Sequence, residues 1–109
     1  MKPILILFIN IILFTSIVIA GEIFGSIKEN NKAVGKGIKI EIITPKKAYT
    51  AETDSFGSYR MFLPEKGKCT LKVYFNKQTP SFDIFSYDKS TRYDFLIENT
   101  KGQYFLRRK

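Results

Sequence analysis

The sequence predicts an all-β chain, an antiparallel Greek-key β-sandwich of seven to eight strands preceded by an N-terminal signal segment. Three observations carry this. From Gly21 onward, apolar and polar residues alternate in short runs, with no helical period of useful length. Turn residues separate these runs at close, regular spacing, the pattern of stacked antiparallel sheets. Residues 1–20 differ in kind: one apolar run that ends in small residues.

Lys2 gives that segment a positive start, and Ile4 to Ile19 is apolar apart from Asn10, Thr15 and Ser16. Val18 and Ala20 place small residues at the third and first positions before a break, as a signal peptidase requires. The run is slightly short of the roughly 20 residues that span a bilayer, and no basic cluster follows it directly. Cleavage after Ala20 is therefore expected, with 1–20 a signal peptide and 21–109 one domain, secreted or periplasmic. An uncleaved anchor, touching the membrane only through this segment, is the alternative. No Cys sits beside the break, so a lipid anchor is not indicated.

The first strand, Glu22–Lys28, leads to a polar loop at Glu29-Asn30-Asn31-Lys32. Ile38–Ile43 alternates Ile38, Ile40 and Ile42 against Lys39 and Glu41. After Thr44-Pro45-Lys46-Lys47 comes a strand from Ala48 to Thr53, then Thr53-Asp54-Ser55-Phe56-Gly57-Ser58-Tyr59-Arg60. These eight residues read as a strand end, a tight turn and a new strand. Asp54 opens the turn with a carboxylate for the amides ahead of it, and Gly57 closes it in the left-handed region a side chain resists. Tyr59–Leu63, Cys69–Phe75, Ser81–Tyr87, Thr91–Glu98 and Gln103–Arg107 complete eight strands. Their phase puts Ile23, Ile27, Ile38, Ile40, Ile42, Tyr59, Met61, Leu71, Val73, Phe75, Phe82, Ile84, Tyr93, Phe95 and Ile97 inward.

Four stretches resemble the carboxypeptidase regulatory-like domain family, whose fold is a transthyretin-like or prealbumin-like β-sandwich. Gly21-Glu22-Ile23-Phe24-Gly25-Ser26-Ile27 is similar to its first strand and Gly37-Ile38-Lys39-Ile40-Glu41-Ile42 to its second. Thr53-Asp54 through Tyr59 resembles its signature turn, and Leu63 to Val73 the hairpin that follows. The resemblance spans Gly21 to about Phe75 and implies a non-catalytic module. Two departures are the missing Pro in Ala33–Gly37 and Cys69 at a commonly aromatic position.

With residues 1–20 removed from 109, 89 remain, enough for one domain. Only Lys2 of the 18 basic residues and none of the 10 acidic ones is lost, so the net charge falls from +8 to +7. That balance favours anionic partners, although Lys39, Lys72 and Arg60 alternate with apolar residues as solvated strand positions do. Export argues against nucleic acid. A single Cys cannot form an internal disulfide, and Cys69, in phase with Leu71 and Val73, is expected buried and free.

The chain has no His, which removes the commonest general base, the usual metal ligand and every Ser/His or Cys/His nucleophile pair. Asp54, Asp83, Asp88 and Asp94 are scattered, without the dense oxygen run of a calcium loop. No catalytic residue, metal site or cofactor is expected. In Arg92-Tyr93-Asp94, the Arg and the Asp are read as facing opposite ways with separate partners. The C-terminal Arg107-Arg108-Lys109 reads as a frayed, soluble end.

Phe62, Tyr74, Phe85 and Tyr87 fall out of phase with the inward set. Such aromatics are often plain strand formers packed on a cross-strand neighbour. Gathered on one sheet face with Arg60 and Lys72, they would form a binding face for a protein, a glycan or an envelope component. Self-association through such a face or an edge strand is the alternative.

Overall fold

The computed structural model describes residues 21–109; the signal-segment reading falls on 1–20, outside them. Ten strands and no helix make up this part. They are β1 (Gly21–Glu29), β2 (Lys32–Ala33), β3 (Lys39–Ile43), β4 (Ala48–Glu52) and β5 (Ser58–Leu63), then β6 (Gly67–Val73), β7 (Ser81–Ser86), β8 (Thr91–Arg92), β9 (Phe95–Thr100) and β10 (Gln103–Arg108).

One sheet has six strands. β1 lies at its centre, antiparallel to β5 on one side and parallel to β8 and β9 on the other, with β10 beyond β9. The second sheet runs β4-β3-β6-β7, antiparallel throughout. Both contribute to one core: Ile23, Ile27 and Phe95 from the first pack with Ile40, Leu71 and Ile84 from the second. The Phe82 and Phe95 rings meet edge to face across it at 5.2 Å.

The strand phases agree closely with alternation. Thirteen of the fifteen residues expected inward are buried, while Ile38 and Phe82 are half-buried at the margin. Leu106 joins the core unanticipated. Cys69 is buried and free, as expected.

Three expectations are corrected. There are ten strands rather than seven to eight, because β1 runs on into a hairpin with β2, and the strand expected over 91–98 breaks into β8 and β9. The hairpin turns on Asn30 and Asn31, both at positive φ (52° and 63°), the two-residue turn whose twist suits a sheet. The pairing is also not wholly antiparallel, since a strand arriving from β7 enters beside β1 in its own direction. Finally, Arg92 and Asp94 do not seek separate partners. Residues two apart share a side of the chain, and Arg92 Nε donates to Asp94 Oδ2 at 2.8 Å.

Gly57 holds its expected left-handed backbone at φ 73°. Asp54 Oδ1 accepts from the Phe56 and Ser58 amides, both at 2.9 Å, and its carbonyl accepts from Gly57 at 3.0 Å. The turn is built as its residues suggest.

Candidate ligand-binding face

The six residues expected on one face lie on two. Arg60 and Phe62 alternate with buried Tyr59, Met61 and Leu63, so β5 carries them on the outer side of the six-stranded sheet. Lys72, Tyr74 and Phe85 stand on the outer side of the other sheet, out of phase with Leu71, Val73 and Ile84. The core separates the two groups. Only Phe85 and Tyr87 are brought together, stacked at 6.2 Å and half exposed. Tyr74 is held by its neighbours: its hydroxyl donates to Glu41 Oε1 at 2.7 Å, and the Lys39 ammonium sits 4.6 Å from its ring centroid. The division arises because the chain crosses from sheet to sheet between β4 and β5 and again between β5 and β6.

A denser arrangement forms on the outer side of the six-stranded sheet. Register places Phe24 of β1 opposite Arg60 of β5 and Arg92 of β8. The guanidinium carbons lie 5.9 Å and 5.7 Å from the Phe24 centroid, within reach of its negative face. Each guanidinium is fixed through its Nε: Arg60 on Glu22 at 3.0 Å, Arg92 on Asp94 at 2.8 Å. Ser90 donates its hydroxyl to Glu22 Oε1 at 2.8 Å. Phe62 stands opposite Glu22 in the next row, and Ser58 opposite Ser26 in the row on the other side.

Glycine makes this grid possible. A Cβ on Gly25 would sit 1.9 Å from the Tyr93 carbonyl oxygen, so only Gly lets the Tyr93-Asp94 backbone settle onto β1. There Tyr93 N–H donates to Phe24 O at 2.8 Å. Asp94 Oδ1 replaces a backbone carbonyl, accepting from the Ser26 amide at 2.9 Å and the Ser26 hydroxyl at 3.2 Å. Burial pushes the Asp94 carboxyl up, but the hydrogen bonds from Arg92 and Ser26 and the Arg92 charge outweigh it and hold the pKa below 3.8.

Phe24, Ser58, Arg60 and Arg92, with Glu52 and Asp54 on the rim, line an open depression of about 550 Å³. It offers a flat ring, guanidinium donors on both sides and carboxylate acceptors at the rim. Of the residues assigned by sequence to a binding face or the turn, Arg60 and Asp54 line it; Phe24 and Glu22 were missed, and Arg92 and Asp94 were read as structural residues with separate partners. Phe24 was legible in principle, being out of phase with Ile23 and Ile27 on its own strand.

Among the described residues no cluster of His, Cys, Asp or Glu could hold a metal ion, and no helix is long and apolar enough to cross a membrane.

No known family and no curated protein matches the chain. Two solved structures share its two-sheet fold. The Bacillus anthracis TIE protein is similar over 71% of this chain and 16% of its own, at TM-score 0.58 and 13% identity. A Bacteroides uniformis protein described as a "putative carbohydrate binding protein" is similar over 73% of this chain and 47% of its own, at TM-score 0.52 and 17% identity. The chain thus spans less than half the length of either, and the likeness is one of fold.

Proposed function

We propose that this chain is an exported, non-catalytic β-sandwich module that binds a glycan on the outer side of its six-stranded sheet. The observation that carries this is the Arg60–Phe24–Arg92 row over an open depression. Sugar rings stack their apolar C–H faces on an aromatic plane, while hydroxyl and acidic groups meet fixed donors at its sides. The likeness to a protein described as carbohydrate binding supports the reading, and the net charge of +7 left after cleavage favours an acidic glycan. The two sheets around one core, the Asp54–Gly57 turn and the motifs resembling carboxypeptidase regulatory-like domains support a transthyretin-like sandwich. Export with cleavage after Ala20 belongs to this proposal; mass spectrometry of the exported protein should find Gly21 first.

Binding to a polysaccharide array, followed by calorimetry, tests the site. Phe24→Ala and Arg92→Ala should each weaken binding about tenfold or more, the scale of one lost stacking or charged contact, with circular dichroism unchanged. Tyr74→Ala and Tyr87→Ala, on the other side of the core, should leave affinity intact. A folded wild type that binds no glycan, or binding that follows Tyr87 instead, would refute the assignment.

A further inference from the structure

We infer that the free edge of β4 pairs with the same strand of a second copy, antiparallel about a two-fold axis through Thr50. Each of the other three long edges is already engaged by a side chain or turn at one residue. On β7, the Phe85 N–H donates to the Tyr93 hydroxyl at 3.0 Å, and that hydroxyl donates to the Phe85 carbonyl at 3.2 Å. On β10, the Tyr104 N–H is taken by Gln78 Oε1 at 2.9 Å. On β5, Ser58 is closed by Asp54, through Oδ1 at 2.9 Å and the Asp54 N–H at 3.0 Å.

Among the described residues nothing covers β4 in this way. The Lys47 carbonyl accepts from Thr44 at 2.9 Å, and Thr53 N–H donates to Ile38 at 3.0 Å, so residues 47, 49, 51 and 53 bond towards β3. The period of two turns the backbone N–H and C=O of Ala48, Thr50 and Glu52 outward, with exposed side chains. The strand has no Pro and no bulge, and its first two outward residues, Ala48 and Thr50, are small. Natural sheets ordinarily block such an edge.

The engaged neighbours select one register. With Thr50 opposite Thr50 and Ala48 opposite Glu52, all three outward residues form hydrogen-bonded pairs, each exchanging two bonds. Moving the axis to Tyr49 would call on the Lys46 N–H, already donated to Thr44 Oγ1 at 3.1 Å. Moving it to Ala51 would call on the Asp54 N–H, already donated to Ser58 at 3.0 Å. The selected register also sets exposed Lys46 opposite Asp54 of the second copy, whose Oδ1 is occupied within its turn and whose Oδ2 is not. Lys47 meets Thr53, so no like charges face each other, and the complementary ends name a second copy as the occupant. The pairing joins two four-stranded sheets into one of eight, engages Glu52 and Asp54 at the rim of the Phe24 depression, and does not depend on the glycan reading.

Sedimentation equilibrium on the protein as expressed, from micromolar to millimolar concentration, should show the mass rising from one chain to two and stopping there. Thr50→Pro removes the central outward N–H while leaving the β3 ladder intact, as an edge strand tolerates, and should weaken association at least tenfold. Thr50→Cys should cross-link on mild oxidation, because a hydrogen-bonded pair brings its Cα atoms to about 5.5 Å, within disulfide reach. Ala48→Cys should not, since two such positions lie four residues apart along the strands, about 13 Å. A monomer at every concentration, a mass growing past two, or equal cross-linking by both Cys variants would overturn the proposal. Should Thr50→Pro unfold, the two Cys variants still decide it.

Discussion

Gly57 is the most exposing place to perturb this fold, because two separate costs meet there. Its φ of 73° burdens any residue with a Cβ by about 1–2 kcal/mol. An added Cβ would also stand 2.7 Å from the Ile27 carbonyl oxygen and 3.2 Å from the Val34 nitrogen. That oxygen is fixed, because it accepts the Val34 N–H at 3.2 Å while the Ile27 N–H donates to the Gly57 carbonyl at 2.9 Å. Making room disturbs both bonds, at about 1 kcal/mol each. Stiffening the unfolded chain returns about 0.4–1 kcal/mol. Gly57→Ala should therefore cost about 2–4 kcal/mol, lowering Tm by some 10–25 °C in a domain of this size. Gly37 is the control: its φ of 87° is equally unfavourable, but an added Cβ meets nothing within 4 Å. Gly37→Ala should cost only about 1 kcal/mol, the dihedral term less the unfolded-state gain. Urea and thermal melts of both variants measure the difference directly. If the two cost the same within about 0.5 kcal/mol, the close approach of the turn to β1 contributes nothing and the reasoning fails.

Asp94 should give the domain an acid limit. Its native pKa lies below the usual 3.8, so its stabilisation is complete above the unfolded value, near 3.9, and is lost as pH falls through the lower native value. Asp94→Asn should lose about 1–3 kcal/mol at neutral pH and converge on wild type in increasingly acid melts; a constant gap down to about pH 2 would contradict this. Cys69 is buried, and burial followed by the Glu65 charge raises its thiol pKa, so Ellman's reagent should react slowly with folded protein and promptly after denaturation. Rapid reaction of the native protein, or a reducible covalent dimer of the wild type, would contradict that placement.

Local chemistry was the legible part of this chain. Alternation recovered the inward phase of nearly every strand because each has one wet and one dry side, and a slip by one residue would bury lysines such as Lys39 and Lys72. The Asp54–Gly57 turn was legible because its bonds join residues at most four apart. Assembly was not. Phe62 and Phe85 look alike along the chain, yet β5 and β7 belong to different sheets, and strand-to-sheet assignment depends on pairings between distant residues. The break at Tyr93-Asp94 was hidden for the same reason: it depends on the absent side chain of Gly25, 68 positions earlier than the Tyr93 it accommodates. The candidate site sits at that break. Its Arg92 and Asp94 share a side only through geometry that the sequence reading assigned the other way.

Tyr93 has a consequence for how the molecule comes apart. Its amide is tied to Phe24, its carbonyl takes the Tyr59 hydroxyl at 2.7 Å, and its own hydroxyl grips both backbone groups of Phe85 in the opposite layer. An outermost strand normally frays on its own, trading amide protons with water long before the interior opens. Here β7 cannot peel away without withdrawing a ring from the core and loosening the centre of the other layer. The periphery and the middle are thereby fused into one cooperative unit, and the Phe85 amide should exchange with solvent only as fast as the domain unfolds.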